Sequence, residues 1–273
     1  MTAKATNPET DQTGMRIDII TVFPEMAQAA LDYSIVKRAA DRGLITINVI
    51  NLRDYTFDRH RTTDDTPYGG GGGMVMKIEP IGLALDAIRA SASPDSRPPR
   101  ILLTEPRGKT FNQEMARELA AEDHIVILCG HYEGVDDRVR QLMVTDEVSI
   151  GDFILTGGEL PALMIADAVT RLQEGALGDA EAPDKDTFSD NLLEYPHYTR
   201  PVEYNGSRVP DILLSGHHAR IEKWRRWHQL QTTKERRPDL FAKINLSDAD
   251  RKLMNQPEPQ APEDKKKTPV NTA

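Results

Sequence analysis

A second cysteine is the first thing missing. The 273 residues hold only Cys129, which excludes an internal disulfide framework and a cysteine-built structural zinc site. Apolar runs such as "IVILC" at 125–129 are far too short to cross a bilayer. The opening "MTAKATNPETDQTG" lacks the apolar core of a signal peptide. These gaps predict a protein that is neither secreted nor membrane-spanning, at home in a reducing cytoplasm. No repeat period is visible. A positive balance is also missing: 34 Lys and Arg stand against 43 Asp and Glu, a net charge of −9, which argues against general attraction to nucleic acid.

Apolar residues make up 38% of the chain, enough for a sizeable core in one or two domains. Residues 1–14 are polar and aperiodic and read as a loose extension before Met15. "MRIDIITVF" reads as a strand and "PEMAQAALDYSIVKRAADRG" as one helix, with Pro24 in its first turn and Gly43 as its cap. "LITINVINL" is a second strand, and "PIGLALDAIRASA" a helix. "RILLTEP" (100–106) and "HIVILCG" (124–130) are short buried strands around the helix "FNQEMARELAAED". A turn-rich loop then leads to a helix starting near Glu159. This alternation predicts an α/β fold with a largely parallel sheet over 15–178.

After Gly178 the texture changes. Residues 179–196 read as an acidic interdomain linker, 197–254 as a small helical domain, and the Pro-rich, charged 255–273 as a disordered tail. In the helical domain Ile221, Trp224, Trp227 and Leu230 form an apolar stripe that favours core packing over base stacking. From Arg220 to Arg237 seven Lys/Arg face two Glu. Arg220, Lys223, Arg225 and Arg226 are the candidates to meet phosphates, with a solvated charged face as the alternative.

The five-glycine run in "TPYGGGGGMVMK" (66–77) is not a P-loop, because Lys77 is followed by Ile78 and not by Ser or Thr. It also follows the second strand, not the first, so it is not a dinucleotide fingerprint. Its charged, aromatic neighbours make it a poor linker. "LCGHYEGVDDRV" leaves a strand at a glycine, where open α/β sheets bind ligands; "LLTEPRG" and "SIGDFILTGGELP" offer two more such turns. Glu133 stands out between Gly130 and Gly134, whereas Cys129 reads as a buried small residue and His131 as a surface histidine. No metal-ligand spacing and no nucleophile elbow is convincing.

Three blocks, "DRHRTTDDTPYGGGGGM" (58–74), "LCGHYEGVDDRV" (128–139) and "SIGDFILTGGELPALMIADAVTR" (149–171), with "PHYTRP" (196–201) and "LLSGHHARIEKWR" (213–225), closely resemble the bacterial tRNA (guanine-37-N1)-methyltransferases. The likeness runs in order from Met15 to about residue 253. It implies an S-adenosylmethionine-dependent enzyme of the SPOUT class, a homodimer whose cofactor sits in a deep trefoil knot. Knots are nearly absent among folds, so this one rests on the resemblance alone.

Carried over by position, the resemblance places the cofactor against Leu103, Thr104 and Pro106, against Gly130, Tyr132 and Glu133, and against Ser149, Ile150, Gly151, Asp152, Phe153, Ile154, Leu155, Gly157 and Gly158. Leu103 stands where the family usually has an aromatic residue, and Phe153 where tyrosine is common. The glycine-rich loop would help enclose the cofactor and the target nucleotide, its bare backbone permitting close approach. Asp186 is the implied general base and Arg171 the implied cation near guanine O6. Magnesium is a further expectation, with Glu133, Asp186 and Glu194 as its carboxylates. The implied partner is tRNA with guanosine at position 37, and neither DNA nor a membrane. A SPOUT enzyme acting on another RNA position and a non-catalytic RNA-binding module are the alternative readings.

Overall fold

The computed structural model describes residues 14–179 and 186–261, and the chain divides into two compact units, Met1–Ala180 and Glu181–Ala273. The expected N-terminal extension up to residue 13, linker residues 180–185 and tail residues 262–273 lie outside the described residues.

The first unit is built on five parallel strands. β1 (Met15–Thr21) pairs with β2 (Ile45–Asn51) and with β6 (His124–Cys129); β5 (Arg100–Thr110) pairs with β6 and with β7 (Asp146–Ser149), giving the order β2-β1-β6-β5-β7. Helices cover both faces, so the central strands are apolar on both sides. Successive β6 side chains alternate between two cores. Ile125, Ile127 and Cys129 join the cluster under α1 (Pro24–Leu31), α2 (Ser34–Asp41), α4 (Gln113–Ala120) and α6 (Glu159–Thr170). Val126 and Leu128 join the one under α3 (Ile78–Ala90) and α5 (Asp137–Leu142). This is the period-two geometry of a strand, and each fully buried Ile or Leu contributes about 1.5–3 kcal/mol.

Three expectations need correcting. The single helix over 24–43 is two, because the chain turns at Ser34, whose φ is +60°. The loop expected before Glu159 contains α5 and the short strand β7, whose sequence "DEVS" carries no apolar run. The strand from Arg100 runs to Thr110, but not as one ladder: Thr104 and Lys109 both register with Val148, so residues 105–108 leave the sheet and return. Gly108 permits the return, since a Cβ there would lie 2.3 Å from the Val148 nitrogen.

The glycine run is the tip of a hairpin between β3 (Asp64–Asp65) and β4 (Val75–Met76). Gly69, Gly70, Gly71 and Gly73 have φ between +77° and +114°, backbone that side chains with a Cβ rarely adopt.

The second unit holds a hairpin, β8 (Glu203–Tyr204) and β9 (Ser207–Arg208), turned by Asn205-Gly206 with positive φ at both positions, as a two-residue hairpin requires. α7 (Asp211–Leu214), α8 (His218–Arg236), α9 (Pro238–Phe241) and α10 (Asp248–Met254) follow. Ile221, Trp224 and Leu230 of the expected stripe are buried; Trp227 is only half-buried. The expected linker and tail make defined contacts where they are described. The Leu193 N–H donates to Thr233 Oγ1 at 2.8 Å, tying 186–196 to α8. Glu258 accepts from the Trp224 indole at 2.7 Å and lies 2.9 Å from His228 Nε2, so 255–261 are held because buried polar groups on α8 need partners.

Candidate functional site

The carboxyl ends of β5, β6 and β7 open into a cleft of about 480 Å³, a size suited to a small ligand. Its walls are the 103–107 segment, the 130–135 turn and the 148–158 loop. Every residue expected at the cofactor lines this cleft except Asp152, which the adjoining Gly151 and Phe153 flank.

The three walls interlock through backbone. The Gly158 N–H donates to the Gly130 carbonyl at 2.8 Å, and His131 and Gly157 form an isolated antiparallel bridge. A Cβ on Gly158 would lie 2.1 Å from Thr104 Oγ1 and 2.8 Å from the Cys129 Cα. Only glycine allows the third loop to pass this close to the first two. Tyr132 sits at φ +60° and half-exposed, the kind of strained backbone that gathers at ligand sites.

The glycine hairpin leans on the same turn. Glu133 N–H donates to the Met74 carbonyl at 3.0 Å, Met76 N–H to the Gly134 carbonyl at 3.0 Å, and Asp136 N–H to the Met76 carbonyl at 2.9 Å. A Cβ on Gly73 would meet the Glu133 side chain at 2.4 Å. The run thus lets the hairpin lie against the cleft wall.

At the cleft wall sits a largely buried polar pair that spacing along the chain could not reveal. His131, read as a surface histidine, has a side chain only 10% exposed, and its Nε2 is 2.7 Å from Glu159 Oε2. Glu159, 2% exposed, also accepts from Thr21 Oγ1 at 2.6 Å. Burial, with Glu159 nearby, pushes the Cys129 thiol well up, consistent with the packing role expected for it. Glu105, which the sequence reading passed over, lines the cleft; burial and the neighbouring Glu147 carboxylate raise its carboxyl above the ordinary value.

The remaining expected residues are on α6 and in the second unit. Arg171 caps the far end of α6. Asp186 and Glu194 belong to the second unit, and the backbone carbonyl of Asp186 accepts the Ser189 N–H at 3.1 Å. Among the described residues no three His, Cys, Asp or Glu side chains group to hold a metal. Arg220 and Lys223 are exposed. Arg225 lies over the Tyr195 ring at 4.9 Å and pairs with Glu222. Arg226 is held by Asp250 through bonds of 2.8 and 3.1 Å. A second hollow, of about 580 Å³, lies between the 3-10 turn Leu52–Tyr55 and α3, walled by Phe57, Leu83 and Met143. No helix among the described residues is long and apolar enough to cross a membrane.

A parallel sheet whose strand ends open into a glycine-walled cleft defines an α/β ligand-binding protein. Comparison with known proteins is more specific. The model of the family described as tRNA (Guanine-1)-methyltransferase TrmD matches residues 15–243. A tRNA (guanine-N(1)-)-methyltransferase of Dehalococcoides mccartyi is 51% identical over 242 residues, 89% of this chain and 96% of that protein. One of Citrifermentans bemidjiense is 54% identical over 239 residues, 88% and 94% of the two chains. The crystal structure of tRNA (m1G37) methyltransferase from Aquifex aeolicus matches with a TM-score of 0.69 and 42% identity, over 85% of this chain and 96% of that one. The chain belongs to the tRNA (guanine-1)-methyltransferase family.

Proposed function

We propose that this protein transfers the methyl group of S-adenosylmethionine to N1 of the guanosine at position 37 of tRNA. The observation that carries this reading is the interlocked cleft at the ends of β5, β6 and β7, in a chain of this family. The residues fit the cofactor. Main-chain groups around Gly130 and Gly157 can read an adenine, Leu103, Ile150, Ile154 and Leu155 offer apolar cover, and Glu105 and Glu133 bring carboxylates to a cationic ligand. The trefoil knot belongs to the same reading, supported by the close passage of Gly158 against Thr104 and Cys129.

When bound, S-adenosylmethionine supplies a methyl group activated by its sulfonium. The chain's own task is to orient the two reactants and prepare the nucleophile. Guanine N1 carries a proton at neutral pH, and the Asp186 carboxylate removes it. The Arg171 guanidinium stabilises the charge that develops at O6. Magnesium would fall to Glu133, Asp186 and Glu194, whose oxygen ligands suit it.

A homodimer is part of the same reading, and the length of α6 supports it. Its twelve residues span about 18 Å, so Arg171 stands one helix length from the amino end of α6 at the cleft. Leu160 and Met164, 48% and 53% exposed, run along α6 toward Arg171 at helical spacing, an apolar face for a second copy. The partner's cleft brought against it would receive Arg171.

In the second unit, the exposed Arg220 and Lys223 grip the anticodon stem-loop through phosphates, so their joint replacement by alanine weakens tRNA binding and lowers its salt dependence. The protein works in the cytoplasm. The test is methyl transfer from labelled cofactor to unmodified transcripts with guanosine or adenosine at position 37, using wild type and Asp186→Ala. Label on the guanosine transcript with wild type alone is expected. Label on both transcripts would move the target, and undiminished activity of Asp186→Ala would remove the base.

A further inference from the structure

Among the polar side chains of the cleft that the methyl-transfer reading leaves without a task, His131 is the one held by a buried carboxylate. His131 Nε2 lies 2.7 Å from Glu159 Oε2, and Glu159 is fixed from the other side by Thr21 Oγ1 at 2.6 Å. The pair is nearly closed to water, with side chains 10% and 2% exposed. The Phe23 ring meets the imidazole edge-on at 5.1 Å, and the His131 N–H reaches Met76 Sδ at 3.2 Å. Ring and backbone are therefore both held. A Cβ on Gly157 would lie 2.1 Å from His131 Nε2, so the glycine also serves to seat the ring.

A carboxylate that accepts at Nε2 fixes the proton there, and in the neutral ring this makes Nδ1 a hydrogen-bond acceptor. No described protein group bonds Nδ1, and the ring lines the cleft. The arrangement is that of a histidine oriented by a buried carboxylate, with its second nitrogen available as an acceptor.

We infer that His131, oriented by Glu159, is a cofactor-binding residue that accepts a hydrogen bond at Nδ1 from an N–H group of S-adenosylmethionine. The donor is either the exocyclic amine of adenine or the ammonium of the methionine moiety. The inference rests on the cofactor reading above.

Titration calorimetry on the full chain with S-adenosylhomocysteine and with 5′-methylthioadenosine, which keeps the adenine and lacks the amino acid, tests it. His131→Ala is expected to lose about tenfold in affinity for S-adenosylhomocysteine. An equal loss for 5′-methylthioadenosine identifies the adenine amine, and a loss confined to S-adenosylhomocysteine identifies the ammonium. His131→Gln keeps a donor toward Glu159 and an acceptor toward the cleft, so it restores affinity to within about threefold of wild type. Glu159→Gln, which can donate to the ring and invert its tautomer, weakens both the affinity and the Nδ1-acceptor signature of His131 in 15N NMR. Unchanged affinity in His131→Ala, equal losses in the Gln and Ala variants, or an imidazolium in the complex would each overturn the inference. Failure of the wild type to bind either compound would instead contradict the cofactor reading.

Discussion

β6 carries a histidine–carboxylate pair near each end, and the two pairs do different work. At the amino end His124 Nε2 lies 2.9 Å from Asp18 Oδ2, and Asp18, fully buried, also accepts from Arg16 Nε at 3.1 Å and Asn48 Nδ2 at 2.7 Å. Asp18 is thus held from three sides by protein groups. Just past the carboxyl end, His131 and Glu159 form a pair of the same type, but its ring borders a cleft. In an open α/β sheet the carboxyl ends of the strands meet the ligand, and the opposite ends are left to stability. A histidine's meaning is thus set by which end of its strand it occupies.

The largest way to break the comparison is Asp18→Ala. It strands His124, Arg16 and Asn48 around a buried gap and is expected to cost about 3–5 kcal/mol, read by denaturant unfolding, with cofactor affinity of the folded fraction unchanged. Gly158→Ala should do the reverse. Its new methyl group collides with Thr104 and Cys129, an overpacking cost of about 1–3 kcal/mol, and calorimetry should show cofactor affinity falling more steeply than stability.

Acid sharpens the contrast further. Burial pushes the Asp18 carboxyl up, but hydrogen bonds from His124, Arg16 and Asn48 together outweigh it and hold the group below its ordinary value. A depressed carboxylate stabilises the fold above its unfolded pKa of about 3.9, and that stability is lost as pH falls through the lower folded value. Wild type should therefore lose stability below about pH 4, and Asp18→Asn should flatten that part of the profile. The Asp250 carboxyl, lowered to about 2 chiefly by the Arg226 hydrogen bond, adds a loss in the same window from the second unit.

The smallest effect compares neighbours within the glycine run. Gly72 has ordinary φ and open space around a built Cβ, whereas Gly73 has φ +84° and the Glu133 side chain in the way. Gly72→Ala should leave cofactor affinity within about twofold, while Gly73→Ala should lower it measurably by displacing Glu133.

Much of this was legible in the sequence, and the rest has physical reasons for its silence. Alternating apolar strands and capped helices located the parallel sheet, and glycine-punctuated turns marked the walls of the cleft. The sequence could not show that β5 leaves its ladder after Thr104 and rejoins at Lys109, because "EPRGK" looks like an ordinary strand end. Nor could it place Glu159, whose partners His131 and Thr21 lie 28 and 138 positions away. The tail from Asn255 reads as disordered by composition; only the buried Trp224 indole and His228, which need Glu258, explain why its first residues are held.

The most direct test of the central claim is amide hydrogen exchange with and without S-adenosylhomocysteine. Binding at the strand ends predicts new protection at 130–134 and 149–158, with the His124 end of β6 unchanged. Protection centred on the hollow between Tyr55 and Asp86, or on the amino end of β6, would contradict it.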